Sequence, residues 1–312
     1  MCIEEFAEKV KQRVSEEVQE EVFVGTVTKN NGVILHSLMI QRAEKSLHPT
    51  IYLEDFYKEY VAGKGLDEII REIIVCEKRA GVENTQHDIM SWFCDFEKVK
   101  DSIVYRLVNT GKNKGLLKEV PHQSFLDLSK VYYVEVDMGE IKQGSIRICN
   151  NHLDMWGVTE EEIMKVAEEN IRKYKVAHTK KLGDILMELM RSGRWGNVQE
   201  FEDEKIWKEN IDKGPEMYVA TNDQCLHGAN VMCYENFLRD FAEEKRSDIY
   251  ILPSSIHELI LLPVNKCNGI EVEELRNMVN EVNMMQVPEE EILSNNVYYY
   301  DRVEDRVTVI NK

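Results

Sequence analysis

Asp248-Ile-Tyr-Ile-Leu-Pro-Ser-Ser-Ile-His-Glu-Leu-Ile-Leu-Leu-Pro263 is the most informative stretch of this sequence. It contains two apolar runs, 249–252 and 259–262, on either side of a short polar insert, 253–258. Apolar runs of this length next to prolines are typical of buried strands. The stretch therefore predicts a buried hairpin. Its insert brings two hydroxyls, an imidazole and a carboxylate to the ends of the strands and is the best candidate for a functional surface.

The chain around this stretch alternates between helical and extended patterns. Apolar stripes at helical spacing, with a capping box at Thr159 and Glu162, predict helices. These cover 3–20, 53–62, 66–79, 86–99, the residues after Thr159, 181–191, 235–245 and 270–282. Further extended patterns predict strands over 22–28, 33–40, 102–109, 130–137, 145–149, 217–221, 229–233, 297–301 and 306–310. Asn30-Asn31-Gly32 predicts a tight turn between the first two strands.

These patterns predict an α+β fold, with antiparallel strand pairs or mixed sheets and packed helices in two or more subdomains. We expect an N-terminal helix, β-hairpin and helical pair over 1–82, a central α/β segment over 83–158 and a C-terminal α+β domain over 159–312. Residues 109–127 are predicted to form a loop with at most one helical turn, and 150–152 a turn. The glycine-bearing, acidic stretch 193–212 is predicted to be an excursion from the core.

The composition limits the classes of partner. Acidic residues outnumber basic ones by 57 to 39, and the net charge of −18 repels nucleic-acid phosphates, so we expect no nucleic-acid partner. No run approaches the ~20 apolar residues of a membrane helix, and the acidic start is unlike a signal peptide, so we expect no membrane association and a cytoplasmic location. The seven cysteines form no C-x-x-C pair, and the pattern at 225–233 is not a usual zinc spacing. We predict no metal site and no cofactor.

The 253–258 insert supplies the candidate catalytic residues Ser254, Ser255, His257 and Glu258. A hydrolytic triad needs a serine, an imidazole and a carboxylate that converge at ~2.6–3.2 Å. On an extended strand, Ser255 and His257 share a side while Glu258 points away; in a helical turn, Ser254 neighbours His257 or Glu258 instead. Neither geometry unites all three groups. We favour the alternative, a turn whose hydroxyls cap backbone groups and whose His257 is hydrogen-bonded at the sheet edge.

Five further polar residues are candidate binding residues: Asn109, His122, Asp127, Asn222 and His227. The first three crowd a loop between two predicted strands. There they could bind a ligand or hold the loop through bonds from side chain to backbone, and the second interpretation is the preferred one. Asn222 and His227 could add polar groups to the 253–258 insert.

Several short phrases occur together in this sequence. They are Asn30-Asn31-Gly32-Val33, Pro49-Thr50-Ile51-Tyr52-Leu53, Val104-Tyr105-Arg106-Leu107-Val108-Asn109, Pro121-His122, Asp127-Leu128, His152-Leu153-Asp154-Met155-Trp156-Gly157, Thr221-Asn222, Gly228-Ala229 and Leu252-Pro253-Ser254-Ser255-Ile256-His257-Glu258. The set resembles an uncharacterised bacterial family, domain of unknown function 5688, over nearly the whole chain. The resemblance implies an α+β protein with no established activity, cofactor or catalytic residues, so it supplies no site residue.

Two function hypotheses follow. The first is a non-enzymatic cytoplasmic binding or regulatory protein whose partner is an unknown protein or small molecule, because no residue spacing assembles a catalytic set. The alternative is a hydrolase-like enzyme that uses the 254–258 insert with polar groups from elsewhere, such as Asn222 or His227. An open cleft that joins Ser255 and His257 to a third polar group would favour the enzyme. Bonds from both side chains to backbone would favour the binding protein.

Overall fold

The computed structural model describes residues 1–42, 48–80, 89–136, 144–192 and 213–310. The protein has the predicted α+β class: within these residues, helices accompany three antiparallel sheets. The chain forms two compact units, Met1–Lys98 with Glu135–Ser145, and Val99–Val134 with Ile146–Lys312. The predicted excursion over 193–212 lies outside the described residues.

The first unit is built on a three-stranded sheet in the order β1-β2-β3. Along the chain its elements begin with α1 (Ile3–Val18), β1 (Glu21–Thr28), β2 (Ile34–Gln41), β3 (Thr50–Tyr52), α2 (Glu54–Val61) and α3 (Leu66–Ala80). Phe6, Val10 and Val14 of α1 belong to the predicted stripe, and all three are buried in the core of this unit. The β1–β2 hairpin has the predicted turn at Asn30–Gly32, and its strands pair over their full length.

The predicted helix over 86–99 is wrong as a single element. Residues 89–99 form two short helices, α4 (Ile89–Phe93) and α5 (Phe96–Val99), and 86–88 lie outside the described residues. Between the helices, the Asp95 amide donates to the Trp92 carbonyl, and the Asp95 carbonyl accepts from Lys98. Aspartate is a poor residue for a helix interior and a good one at a helix start, so one helix ends and another begins at this point.

The remaining elements comprise the strands of two larger sheets and five α-helices of the described residues. They are β4 (Ile103–Asn109), β5 (His122–Phe125), β6 (Leu128–Val136), β7 (Gly144–Arg147), α6 (Asn150–Trp156), α7 (Glu160–Tyr174), β8 (Ala177–Lys181), α8 (Leu182–Arg191), β9 (Tyr218–Asn222), α9 (Phe237–Lys245), β10 (Ile249–Pro253), β11 (Leu259–Pro263), α10 (Val272–Met285), β12 (Tyr298–Asp301) and β13 (Arg306–Val309). One sheet has the order β4-β6-β5, with β7 also paired to β6; the other has the order β13-β12-β10-β11-β9-β8.

β10 and β11 form the predicted buried hairpin in the middle of the six-stranded sheet. Successive side chains of a strand point to opposite faces of the sheet. On one face, Ile251 and Leu261 belong to a core that includes Phe241 of α9. On the other face, Leu252 belongs to a core that includes Leu275 of α10. Because both faces are covered, these strands are continuous apolar runs without alternation.

Two polar stretches that were predicted to be irregular form regular structure. Residues 122–125, inside the predicted loop, form β5 and pair with the edge of β6. Residues 150–152, predicted as a turn, are the first turn of α6, which Cys149 precedes at the N-cap. Neither stretch has an apolar period that would mark an element, so its conformation depends on the neighbouring structure.

The predicted strand over 229–233 is also wrong. Gly228–Cys233 forms a 3₁₀ helix, and its residues from Gly228 to Met232 are all buried. A segment that is buried on every side has no polar face, so its sequence does not distinguish a helix from a strand. β9 pairs instead with β11 and with β8. β8 was missed because its sequence, Ala-His-Thr-Lys-Lys, has no apolar alternation.

Candidate functional site

The 253–258 insert is the tip of the β10–β11 hairpin. Its main chain closes on itself where the Ser255 amide donates to the Glu258 carbonyl, at 3.3 Å. Two distant segments then hold it in place. The Ile256 amide donates to the Glu291 carbonyl at 2.8 Å, and the Ile256 carbonyl accepts from the Ala229 amide at 3.2 Å. The tip is therefore shaped by main-chain bonds to residues far away in the sequence.

His257 is oriented by its neighbours through both ring nitrogens. Its Nδ1 accepts a hydrogen bond from the His227 amide at 3.1 Å, and its Nε2 lies 3.6 Å from Glu291 Oε1. Because Nδ1 is an acceptor, the proton of the neutral imidazole lies on Nε2, on the side of Glu291. Ser255 Oγ accepts from the His257 amide at 3.0 Å and is not bonded to the imidazole.

Ser254 and Glu258 form a separate pair. Ser254 Oγ donates to Glu258 Oε1 at 3.3 Å. The four candidate catalytic residues thus divide into Ser254 with Glu258 and Ser255 with His257. Within the described residues, no side-chain hydrogen bond connects one pair to the other, so the structure does not bring a serine, an imidazole and a carboxylate into one chain of hydrogen bonds.

Asn222 is the last residue of β9, and His227 lies in the turn that follows this strand. The buried Asn222 side chain accepts from the amides of Gln224 and Leu226, at 3.2 and 3.3 Å, and donates to the Leu226 carbonyl at 2.9 Å. His227 has a left-handed backbone, with φ of 53°. Burial lowers the pKa of His227 to about 3, and its electrostatic interactions with Arg106 and with His257 act in the same direction. Its imidazole is therefore neutral at physiological pH.

Gly228 permits the closest approach between this turn and the hairpin tip. A Cβ atom there would lie 2.1 Å from Thr221 Oγ1, 2.6 Å from the His257 carbonyl oxygen and 2.7 Å from the Asn222 amide nitrogen. Thr221 Oγ1 itself donates to the His257 carbonyl at 2.8 Å. Glycine is the residue that allows backbone to pack against backbone at such distances.

Asp127 accepts three hydrogen bonds from the segment that leads into β12. Its Oδ2 accepts from Ser294 Oγ at 2.7 Å and Asn296 Nδ2 at 2.9 Å, and its Oδ1 accepts from the Tyr298 hydroxyl at 2.8 Å. Asn109 contacts the same segment, since its Nδ2 donates to the Leu293 carbonyl at 3.1 Å. These two candidate binding residues hold one loop against another.

His122 has different hydrogen-bond partners from those of Asp127 and Asn109. Its amide donates to Glu160 Oε1 at 2.7 Å, at the start of α7, and its Nδ1 donates to the Val120 carbonyl at 3.1 Å. The five candidate binding residues therefore bond at three places: Asn222 and His227 at the turn after β9 and the hairpin tip, Asn109 and Asp127 at the segment that leads into β12, and His122 at the start of α7. All five make bonds to protein atoms.

No metal site is evident in the part of the chain that the structure describes. There, no group of three or more histidine, cysteine, aspartate and glutamate side chains could hold a metal ion, and the seven cysteines are free thiols. Burial raises the pKa of Cys233 to about 12, so this thiol stays protonated. A protonated thiol is neither a nucleophile nor a metal ligand.

A small apolar cleft, which the sequence did not reveal, opens beside the hairpin tip. It has a volume of about 80 Å³, and we call it the α10 cleft. Its walls include Leu252, Pro253, Ser254, Met278, Val279 and Val282. Met278 and Val282 are 39% and 41% exposed. The apolar pattern of 270–282 predicted the helix, but it could not show which of the apolar residues stay at the surface.

Comparison with known proteins agrees with the resemblance described above. The family model for DUF5688, a family of unknown function, matches residues 3–302. The chain belongs to this family. No curated protein and no solved structure matches the chain. Of the helices in the described ranges, none combines the length and apolar character needed to cross a membrane.

Proposed function

We propose that this protein is a non-enzymatic cytoplasmic binding or regulatory protein. One observation carries the proposal: His257 receives the His227 amide at Nδ1 and directs Nε2 toward Glu291, so neither nitrogen serves a serine. A serine nucleophile requires a base within hydrogen-bond reach of its hydroxyl. The hydroxyl of Ser255 has the amide of His257 as its neighbour instead.

The opposite tautomer of His257 is disfavoured. If the ring proton moved to Nδ1, that N–H would face the His227 N–H at 3.1 Å, and two donors would meet with no acceptor between them. A buried donor without a partner costs about 1–3 kcal/mol. The tautomer that fits its surroundings is thus the one that leaves no ring nitrogen to act as a base for Ser255.

The amides of the tip are also committed to acceptors within the protein. Acyl transfer needs N–H donors that point at the developing oxyanion. In the tip, Ser255 donates to Glu258, Ile256 donates to Glu291, and His257 donates to Ser255 Oγ. Three consecutive amides therefore stabilise the turn, which supports a scaffold role for the tip.

A hydrolase-like enzyme is the second candidate function, and one observation favours it. Ser254 lines the α10 cleft, and its Oγ lies 3.3 Å from Glu258 Oε1. A carboxylate that close to a hydroxyl can act as its general base. Ser254 and Glu258 are therefore the pair whose removal separates the two functions.

Hydrolysis assays and partner capture test the proposal together. Purified wild type, Ser254→Ala and the control Ser124→Ala, at an exposed serine of β5, are incubated with p-nitrophenyl esters, p-nitrophenyl phosphate and a fluorogenic peptide. We expect no hydrolysis above the buffer rate. Cross-linking capture compares wild type with His257→Ala. We expect wild type to capture a partner that also binds the purified protein, and His257→Ala to lose that partner. Hydrolysis that falls about 100-fold or more in Ser254→Ala, but not in Ser124→Ala, would establish the hydrolase instead.

A further inference from the structure

α10 carries an apolar stripe that its own core does not use. Met278, Val282 and Met285 follow one another at intervals of four and three residues, so they lie on one face of the helix. They are 39%, 41% and 72% exposed, whereas Leu275 and Val279 of the same helix are buried. We call these three residues the methionine stripe. Three neighbouring apolar side chains in water mark a surface that a partner could cover.

The α10 cleft lies at the first part of this stripe and suits an apolar group better than water. Its volume of about 80 Å³ exceeds the ~10–15 Å³ that a cavity needs in order to admit one water molecule. Of its lining residues, Ser254 is the one with a polar side chain, and that hydroxyl donates to Glu258. A water molecule needs two or more polar partners, so a single aliphatic side chain is the better occupant.

The charge around the stripe indicates the sign of the charge that a partner should carry. Residues 271–291 contain seven glutamates and one arginine, which gives a local net charge of −6. Glu274 and Glu281 are exposed and stand four residues before and three residues after Met278, so they border the stripe. Arg276 is used elsewhere, since it pairs with Glu273 and donates to the Ile310 carbonyl. The border is therefore acidic, and it attracts cations.

We propose that the methionine stripe and the α10 cleft bind a basic amphipathic helix of another protein. Its apolar face lies along Met278, Val282 and Met285, one aliphatic side chain enters the cleft, and its lysines or arginines meet Glu274 and Glu281. Helices recognise such grooves through anchors spaced three and four residues apart, and methionine side chains adapt to them. The inference rests on the proposed binding function and specifies its partner.

A designed peptide tests this inference with the full-length protein. The probe is a fluorescent helical peptide of about 18 residues, with leucine on one face and lysine on the other, and a second peptide has glutamate in place of lysine. Fluorescence anisotropy gives Kd for wild type, for Met278→Gln with Val282→Gln, for Glu274→Gln with Glu281→Gln, and for the control Met284→Gln. Met284 is 86% exposed and lies outside the stripe.

We expect the lysine peptide to bind wild type with a micromolar Kd and the glutamate peptide not to bind. The Met278/Val282 variant should weaken binding about tenfold or more, and the Glu274/Glu281 variant several-fold, with a loss of salt dependence. Met284→Gln should bind like wild type. Equal binding of the lysine peptide to the Met278/Val282 variant, or no binding at all, would overturn the inference.

A different result would contradict the proposed function. Hydrolysis that depends on Ser254 would overturn the proposed binding function, whether or not the peptide binds. If the lysine peptide fails but a captured partner loses affinity in the Met278/Val282 variant, the basic helix is wrong and the binding function stands. Circular dichroism spectra that match wild type are required of each variant. The substituted positions are exposed, and glutamine at 274 can still accept from the Glu271 amide that Glu274 caps, so we expect that result.

Discussion

The β1–β2 and β10–β11 hairpins are both regular antiparallel pairs, yet they close in opposite ways. The first turn uses its own residues: Asn31 and Gly32 have φ of 60° and 74°, and the Lys29 amide donates to the Val33 carbonyl at 2.7 Å. The second turn is held by Ala229 and Glu291, residues about 30 positions away on either side.

This difference explains why the residue types of the polar tip do not by themselves reveal its role. Its serines and histidine are the residue types of hydrolysis, but they make the bonds that a long-range turn needs. A turn that is built from local residues has asparagine and glycine at positions of positive φ. A turn that is built by tertiary contacts has no such sequence mark, so side-chain chemistry alone does not report its role.

The largest expected effect comes from breaking the tertiary closure at Gly228. Gly228→Ala would push a methyl group against two backbone atoms, the His257 carbonyl oxygen and the Asn222 nitrogen, which cannot rotate away. We expect urea denaturation to show a loss of more than about 4 kcal/mol in the free energy of unfolding, or no folded protein at all.

Gly115→Ala is the matched control for this change. A Cβ at Gly115 meets open space, and its backbone has φ of −68°. There the substitution should stabilise the protein by about 0.4–1 kcal/mol, because it restricts the unfolded chain. Equal effects of the two substitutions would show that the contact at Gly228 is not a close one.

A smaller effect is expected when the pH is lowered, because His227 in the turn beside the tip resists protonation. The pKa of His227 is lowered to about 3 by burial, whereas an unfolded histidine has a pKa of about 6.5. Between these values the unfolded chain binds a proton that the folded chain does not, so stability is complete above the unfolded pKa and falls as the pH decreases. The slope from this group is at most about 1.4 kcal/mol per pH unit.

His227→Asn isolates this contribution, because asparagine tolerates the left-handed backbone and does not titrate. We expect the difference in unfolding free energy between wild type and His227→Asn to change in favour of the variant from pH 7 to pH 5. His178→Asn, at an exposed position of β8, should keep the pH dependence of the wild type. A difference between wild type and His227→Asn that is constant with pH would contradict a partly buried, neutral His227.

The smallest effect is expected at the local turn. Gly32→Ala places a Cβ on a backbone with φ of 74°, which should cost about 1 kcal/mol in the free energy of unfolding. Gly32→Asn should cost less, because asparagine accepts this conformation. Thermal unfolding that ranks the two variants in the reverse order would mean that the turn is held by something other than its backbone angles.

Several parts of the fold could be predicted because their information is local. The Thr159 cap is one example: the Glu162 amide donates to Thr159 Oγ1 at 3.2 Å, and the Thr159 amide donates to Glu162 Oε2 at 2.7 Å. The turn at Asn30–Gly32 is another. The apolar runs of β10 and β11 were also enough to predict the buried hairpin, because a strand that is buried on both faces is apolar at successive positions.

The candidate site could be predicted only in part. Strand alternation offered Ser255 beside His257, and helical spacing offered Ser254 beside His257 or Glu258, as alternative geometries. In the structure, Ser254 Oγ donates to Glu258, while Ser255 Oγ accepts from the backbone amide of His257 and is not bonded to its imidazole. No local rule links His257 to His227 and Glu291. Those contacts come from segments that meet only in the folded chain.

Local patterns thus specified the class of fold, its main helices and its central hairpin, since backbone angles, caps and apolar period act over a few residues. Tertiary packing specified the rest: the polar strand β8, the 3₁₀ helix at Gly228–Cys233, the bonding of the hairpin tip and the exposed face of α10. The reason is physical. A hydrogen bond or a buried face between residues about 30 or about 170 positions apart depends on where the whole chain places both partners, and no short window of sequence contains that information.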